Sequence, residues 1–296
     1  MSVNLASLYA QQYATNIKLL LQQKGSRLRG KVMEGSAVGE QMSPVDQVGA
    51  IEMQPVTTRF APMGRVDATV DRRWVLPSSF DLPQLIDTFD KLKMIVDPKS
   101  SYVENAVAAA GRQYDNALIT AMNGTNQTGK TGSTGTVFLA GNQIAVNFGS
   151  ATNTGLTVAK LREARRLFMS HNLDMDSEQL WLCVNAKAHD SLLAEVQVIS
   201  SDFNGNAPVL QEGKITRFLG FNFVHTELLT NNVTPYRQIL VWAKSGVHLG
   251  IWDDIKTDVR QRADLAGLPW QCYVYMTCGA SRLEEKKVVR ILANEA

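Results

Sequence analysis

The chain has 296 residues, of which 45% are hydrophobic and 20% charged, with a formal net charge of +2. This is ordinary globular composition, which excludes wholesale disorder. No run of about 18 apolar residues occurs, so no membrane-spanning helix is expected. The stretch from Met1 to Gly25 has no basic region leading into an apolar core, so it does not read as a secretory signal. Cys183, Cys272 and Cys278 form no CxxC pair, which leaves neither a disulfide framework nor a zinc ribbon. They read as buried thiols in a reducing compartment.

Charge is uneven along the chain. The first 33 residues hold Lys18, Lys24, Arg27, Arg29 and Lys31 and no acid, so the remainder carries −3. A basic arm on a slightly acidic body suggests a segment that reaches for something anionic. Within the arm, Leu5, Leu8, Tyr13, Ile17, Leu20 and Leu21 recur at helical steps, and Gly25 follows as a terminator. This amphipathic helix fits two placements, on its own body or on a neighbouring subunit.

Six of the nine prolines fall between residues 35 and 98: Pro44, Pro55, Pro62, Pro77, Pro83 and Pro98. Proline removes a ladder donor, so short edge strands in an extended loop are expected here. The alternation from Arg65 to Asp71 and the run Trp74-Val75-Leu76 mark them. A loop this long is usually functional, and one physical solution is stabilisation by contacts outside its own chain.

After Pro98, Ser101 and Glu104 have the form of a capping box. Val103, Val107, Ala110, Tyr114, Leu118 and Ala121 then follow at helical spacing, and Asn123-Gly124 ends the run. A helix over about 101–122 is predicted, longer than average. From Asn123 to Leu156 the only charge is Lys130, and the apolar stretches Thr136–Ala140 and Gln143–Phe148 suggest a weakly packed hairpin. Thr157 caps a second helix that runs to about His171. Leu180–Val184 reads as a buried strand, with Asn185 as the cap of the helix that follows. Phe218–Val224, Gln238–Trp242, Val247–Trp252, Gln271–Thr277 and Lys287–Leu292 read as further strands. Segregated helices and strands make the class α+β.

The chemistry-bearing patterns are few. Gly124-Thr125-Asn126-Gln127-Thr128-Gly129-Lys130-Thr131 matches the Walker A signature, in which Gly124, Gly129, Lys130 and Thr131 would cradle phosphates and magnesium. A phosphate loop needs a strand before it and a helix after it. Here a long helix precedes, and Gly132-Ser133-Thr134-Gly135 follows, so the match reads as chance. His171, His189, His225 and His248 form no short-range pair, so no metal site is expected. No GxSxG or cysteine-nucleophile signature occurs. Glu284-Glu285-Lys286-Lys287 reads as a solvated turn or, more sharply, as an intersubunit ion-pair cluster. No catalytic constellation and no cofactor site survive. What survives is a basic arm, a long proline-punctuated loop and a spine-like helix, parts that suit contact with copies of the same chain.

The order of these parts resembles the major capsid proteins of tailed bacteriophages with the Hong Kong 97-type fold. The resemblance runs along nearly the whole chain. It rests on Arg72-Arg73-Trp74-Val75-Leu76-Pro77 through Asp87-Thr88-Phe89-Asp90, and on Trp181-Leu182-Cys183-Val184-Asn185 leading to Leu192-Leu193. Gly213-Lys214-Ile215 and Leu219-Gly220-Phe221 follow. Trp242-Ala243-Lys244-Ser245-Gly246-Val247, Gly250-Ile251-Trp252, Arg262-Ala263-Asp264 and Gly279 through Lys286 complete it.

The resemblance implies an N-terminal arm over 1–45 and an extended loop over 46–88. It implies a peripheral domain over 89–178, an axial domain over 179–257 and a return over 258–296. It implies a non-enzymatic subunit that assembles into hexamers and pentamers of an icosahedral head around double-stranded DNA, located in the virion and assembled in the host cytoplasm. An encapsulin-like cellular shell shares the fold and stands as the alternative, with a P-loop NTPase as the enzyme alternative. Implied partners are the chain itself, a separate scaffolding protein, a portal, a cement protein and weakly held DNA. On this reading Trp74 and Phe80 anchor the loop on a neighbour, Arg72 and Arg73 pair with its acids, and Glu284 and Glu285 contribute to the contact. Lys24, Arg27, Arg29 and Lys31 face a neighbour or DNA. No lysine lies between Lys31 and Lys91, so the lysine–asparagine cross-link of some relatives is not expected.

Overall fold

The computed structural model describes residues 21–39, 41, 46–55, 57–59, 64–86, 99–199, 210–211, 213–233 and 235–295. The amphipathic helix expected before Gly25 and the motif residues Asp87–Asp90 lie outside the described residues, except for Leu21 and the residues that follow it.

In chain order the first elements are β1 (Met33–Ser36), β2 (Asp46–Val48), β3 (Val70–Trp74), β4 (Ser78–Ile86) and α1 (Lys99–Asn123). Next come β5 (Asn126–Thr128), β6 (Thr134–Thr136), β7 (Gln143–Ile144), α2 (Val158–Ser170), β8 (Leu180–Val184), α3 (Ala186–Leu193) and α4 (Val196–Ile199). The remaining strands are β9 (Leu210–Gln211), β10 (Lys214–Ile215), β11 (Arg217–Phe218), β12 (Phe221–His225), β13 (Asn231–Val233), β14 (Tyr236–Ala243), β15 (Val247–Gln261), β16 (Trp270–Arg282) and β17 (Val288–Asn294). Contacts divide the chain into two compact units. One takes the described residues of Met1–Ser26 with Ser79–Arg112 and Asp253–Met276; the other takes Arg27–Ser78, Gln113–Trp252 and Thr277–Ala296.

The core of the larger unit is a seven-stranded sheet in the order β11-β12-β8-β14-β17-β7, with β13 paired to β14. Its central strand β14 carries Ile239, Leu240, Val241, Trp242 and Ala243, all fully buried. A continuous apolar run is what a strand covered on both faces requires. β8 and β12 are parallel neighbours, and the crossover between them carries α3 and α4. Asn185 caps α3, its side chain accepting from the Ala188 amide as the sequence predicts. Thr157 caps α2 through the Lys160 amide. The α2 stripe of Leu161, Ala164 and Phe168 is fully buried, and the helix packs on β17 and β7. The Phe168 and Phe221 rings lie 6.4 Å apart.

Several local expectations change. α1 is already helical at Lys99, so Ser101 and Glu104 sit inside it and do not form the predicted start. Its buried stripe runs through Ala106, Ala110, Tyr114, Leu118 and Met122, while Val107 is exposed. Gly111 is buried in that helix because a Cβ there would stand 2.5 Å from the Gly25 backbone. The alternation at Arg65–Thr69 forms no strand; pairing begins at Val70. The hairpin after α1 is β5–β6, around the turn at Gly129–Ser133, in the Gly/Thr/Asn-rich stretch from about Gly124 to Gly135 where the sequence reads one; the apolar stretches further on are not its strands. Instead, Gln143 and Ile144 join β17 in parallel. The single strand predicted over Phe218–Val224 is two, because Leu219 (φ 49°) and Gly220 (φ 84°) make a tight turn. Two successive positive φ values are the signature of a two-residue hairpin.

The long strands β15 and β16 belong to a sheet ordered β1-β15-β16-β4, which leaves the proline-bearing β4 at an edge. Pro83 is tolerated there because an edge strand has one unpaired side.

Candidate intersubunit surface at the root of the extended loop

β2 and β3 form an antiparallel ribbon, with Asp46 opposite Arg72, Gln47 opposite Asp71 and Val48 opposite Val70. The Gly49 amide extends the ladder to the Thr69 carbonyl at 2.6 Å. Because successive side chains alternate, the ribbon has two chemically distinct faces.

The inner face carries Gln47, Asp71 and Arg73. The Arg73 Nη1 lies 3.2 Å from Glu285 Oε1, and its Nε donates to Gln47 Oε1 at 3.2 Å. Asp71 accepts from the Gly129 amide at 3.0 Å, which ties the ribbon to the β5–β6 hairpin. The other Glu285 oxygen takes Arg282 Nε at 2.5 Å. Arg282 is completely buried. Its Nη1 donates to the carbonyls of Ala121, Met122 and Gly124 at 3.2, 2.7 and 3.1 Å. The last carbonyls of a helix have no partner within it, so a guanidinium there satisfies acceptors and complements the dipole. Burial pulls the Arg282 guanidinium below its ordinary value, and Glu285 pushes it back up. Arg282 and Arg290 both stand over the Phe138 ring, at 5.3 and 4.3 Å from its centroid. One buried network thus joins the loop root, the end of α1 and the start of β17.

The outer face is different. Val48 and Val70 form a cross-strand pair, 69% and 72% exposed. Beyond them Ile51 is 62% and Met53 100% exposed. Arg72 pairs with Asp46 through two bonds of 2.5 and 2.8 Å, in the open. The same guanidinium lies 5.6 Å over the Trp74 ring. The Trp74 indole donates to the Gly129 carbonyl at 2.7 Å.

Within the chain, Arg72 pairs with Asp46 and Arg73 with Glu285, so each guanidinium already holds an acid of its own chain. Glu284 faces its own Lys287 at 3.2 Å. Trp74 is seated on its own β5–β6 hairpin, the alternative to a neighbour, and Phe80 is half-buried in β4. Of the basic arm residues among those described, only Lys24 is exposed. Arg27 donates to the His225 carbonyl at 2.7 Å. Arg29 lies 3.5 Å from Glu34 and 5.2 Å over the Tyr114 ring. Lys31 donates to the Arg27 carbonyl at 2.6 Å and lies over Trp181. Residues 27–31 thus fasten the segment to the body, where the charge count suggested a reach outward. In the Walker-like stretch, Gly124 follows α1, and Gly129, Lys130 and Thr131 form the tip of a hairpin. No helix begins there to receive a phosphate.

Sequence reasoning missed three buried ionic groups. Asp115 is fully buried on α1 and accepts from the amides of Arg27 and Leu28 at 3.0 and 3.1 Å. Its signal was available: it stands three and four residues before Leu118 and Ile119, on the apolar stripe. Lys160 is fully buried and donates to the carbonyls of Thr154, Gly155 and Leu292 at 2.8, 2.8 and 3.0 Å. Burial pulls its ammonium down to about 8. The third is Arg282. Burial raises the thiols of Cys183 and Cys278, the latter to about 11, so neither has thiolate character at neutral pH. Among the described residues no group of His, Cys, Asp and Glu is arranged to hold a metal.

A family model described as phage capsid protein matches residues 5–295 of this chain. No curated protein matches the sequence. Among solved structures, the capsid of cyanophage P-SCSP1u is 15% identical with a TM-score of 0.75, covering 100% of this chain and 96% of that one. The capsid of cyanophage Pam1 is 13% identical with a TM-score of 0.77, covering 100% and 98%. The capsid of Helicobacter pylori bacteriophage KHP30 is 10% identical with a TM-score of 0.74, covering 99% and 98%. At such identities the likeness is one of fold.

Proposed function

The chain belongs to the phage capsid protein family, and from that premise we propose that its copies join through the outer face of the β2–β3 ribbon. It is a structural capsid subunit with the Hong Kong 97-type fold. The observation that carries the proposal is the exposure of Val48, Val70, Ile51 and Met53 along one projecting segment. An apolar patch of this kind on a protein that assembles marks a contact surface. Arg72 and Trp74 extend the same face, and arginine and tryptophan are favoured at interfaces.

In this reading the loop of about 46–88 lies over an adjacent subunit. The rings are hexamers and pentamers, and the shell encloses double-stranded DNA held by weak, salt-sensitive contact. The buried Arg73–Glu285–Arg282 network has a supporting part: it fixes the angle at which the ribbon leaves the body. A separate scaffolding protein, a portal and a cement protein are its partners, and assembly takes place in the host cytoplasm.

The test is to express the chain with and without its neighbouring genes and to image the high-mass fraction by negative-stain electron microscopy. Closed shells or six-fold rings are expected. Val48→Asp with Val70→Asp should abolish them while leaving a folded subunit. Normal shells from that variant would remove the ribbon face as the contact.

A further inference from the structure

Within the larger unit, the segment from Arg27 to β1 is fastened at a cluster that assembly does not explain. The Arg27 and Leu28 amides bond the buried Asp115 carboxylate. Further on, the Trp242 indole donates to the Lys31 carbonyl at 3.0 Å, and β1 runs parallel to β15. Beside these backbone contacts stands a side-chain clasp. Arg27 Nη1 lies 3.0 Å from His225 Nδ1 and 2.7 Å from the His225 carbonyl.

A guanidinium has donors only, so Nδ1 must be an acceptor. The ring is then neutral, with its proton on Nε2. That nitrogen lies 3.1 Å from Glu227 Oε1, where it donates. Both contacts agree on a single tautomer. Adding a proton puts an N–H on Nδ1, aimed at a guanidinium 3.0 Å away. Two donors and two like charges then face each other. Glu227 meanwhile gains an ion pair with the imidazolium. The neutral ring therefore holds both partners at once, and the charged ring keeps Glu227 while it repels Arg27.

We propose that Arg27, His225 and Glu227 form an acid-sensitive latch on the segment running from Arg27 to β1, closed when His225 is neutral and opened when it is protonated. The charged groups around the clasp come from five places. Arg27 and Lys31 are on the segment itself, the latter bonded to the Arg27 carbonyl. Asp115 is on α1 and is committed to the two backbone amides. His189 is on α3, flanked electrostatically by Asp190 and by Lys214 of β10. Glu227 follows β12 and also accepts from the Ala186 amide at 2.7 Å. Burial, and then the charge of His225, hold the His189 imidazole below its ordinary value. Histidine changes charge between about pH 5 and pH 8, which sets the window to search.

Hydrogen exchange of the full-length chain reads the latch, followed by mass spectrometry from about pH 8 to about pH 5 and corrected for the intrinsic pH dependence of amide exchange. Wild type should lose protection of residues 27–36 as the pH falls. His225→Asn keeps an acceptor near the Nδ1 position and takes up no proton, so its protection should persist across the series. Glu227→Gln removes the carboxylate that holds the imidazolium, and the loss should shift to lower pH. Wild-type protection that does not change with pH overturns the proposal. So does a pH dependence that persists in His225→Asn; its disappearance in His248→Phe would then move the switch to His248, which stands opposite Met33 of β1. If His225→Asn does not fold, Glu227→Gln decides alone, and an unshifted loss overturns the latch.

Discussion

Arg72 and Arg73 are adjacent in sequence, carry the same charge and each pair with a carboxylate, yet they are physically opposite. The side chains of Arg72 and Asp46 are 42% and 54% exposed; those of Arg73 and Glu285 are 9% and 14% exposed. The first pair is solvated and screened, and such pairs add little to stability. The second is desolvated, and removing one partner leaves a buried charge less well compensated. The strand's two-residue period alone makes this difference. It divides one ribbon into a structural face and a face available for association.

The largest effect should come from the inner side. Arg282→Ala removes a donor from the carbonyls of Met122 and Gly124, from that of Ala121, which keeps the Asn126 side-chain amide, and from half of the Glu285 carboxylate, and should cost about 3–5 kcal/mol. A thermal or urea denaturation series on the purified subunit would measure it. A loss near zero would mean that water replaces the guanidinium, and that the network does not hold the loop root. Arg73→Ala should cost less, about 2 kcal/mol, because Glu285 keeps Arg282 as a partner. A double-mutant cycle of Arg73 with Glu285 should show coupling, whereas one of Arg72 with Asp46 should show none.

A second buried cation sharpens the contrast, because Lys160 has carbonyl partners and no carboxylate among its hydrogen bonds. Burial places its ammonium near 8, against an unfolded value of 10.5. Between those values the unfolded chain binds more protons than the folded one, so stability should rise with pH. Measured against Lys160→Met, wild type should gain thermal stability from about pH 8 to about pH 10.5. A flat difference would show that the three carbonyls offset the burial.

On the outer face the ordering reverses. Trp74→Ala removes the indole bond to Gly129 and should lower the melting temperature modestly while reducing the yield of closed shells. Arg72→Ala should have the smallest effect of the series, leaving the melting temperature within error. Shell yield is the readout that separates a contact residue from a merely solvated one.

Periodicity and punctuation made much of the fold legible. Thr157 and Asn185 were readable as caps because a short acceptor immediately precedes an apolar helical stripe. Leu180–Val184 and Gln238–Trp242 were readable as strands because burial on both faces demands an unbroken apolar run. The distal half of β15 was barely readable. Asp253 through Gln261 is mostly charged and polar, and only the alternation of Ile255, Thr257 and Val259 marks it as a strand; it extends beside β16. The end of β16 was hidden for the same reason, since Gly279, Ser281 and Arg282 have no strand preference of their own. The site was half legible. Arg72, Arg73, Trp74 and Glu285 were visible as charged and aromatic residues in an unusual loop and turn, but their partners within the chain were not.

The sequence by itself determined the class, the order of parts and the family resemblance, because these depend on spacing along the chain. Only the tertiary structure decided which charges are buried and what they touch. Arg73 and Glu285 are 212 residues apart, and Arg27 and His225 are 198 apart. No local pattern encodes such meetings. They follow from where the strands pair, and burial then turns ordinary surface residues into a structural clasp or a proton-sensitive one.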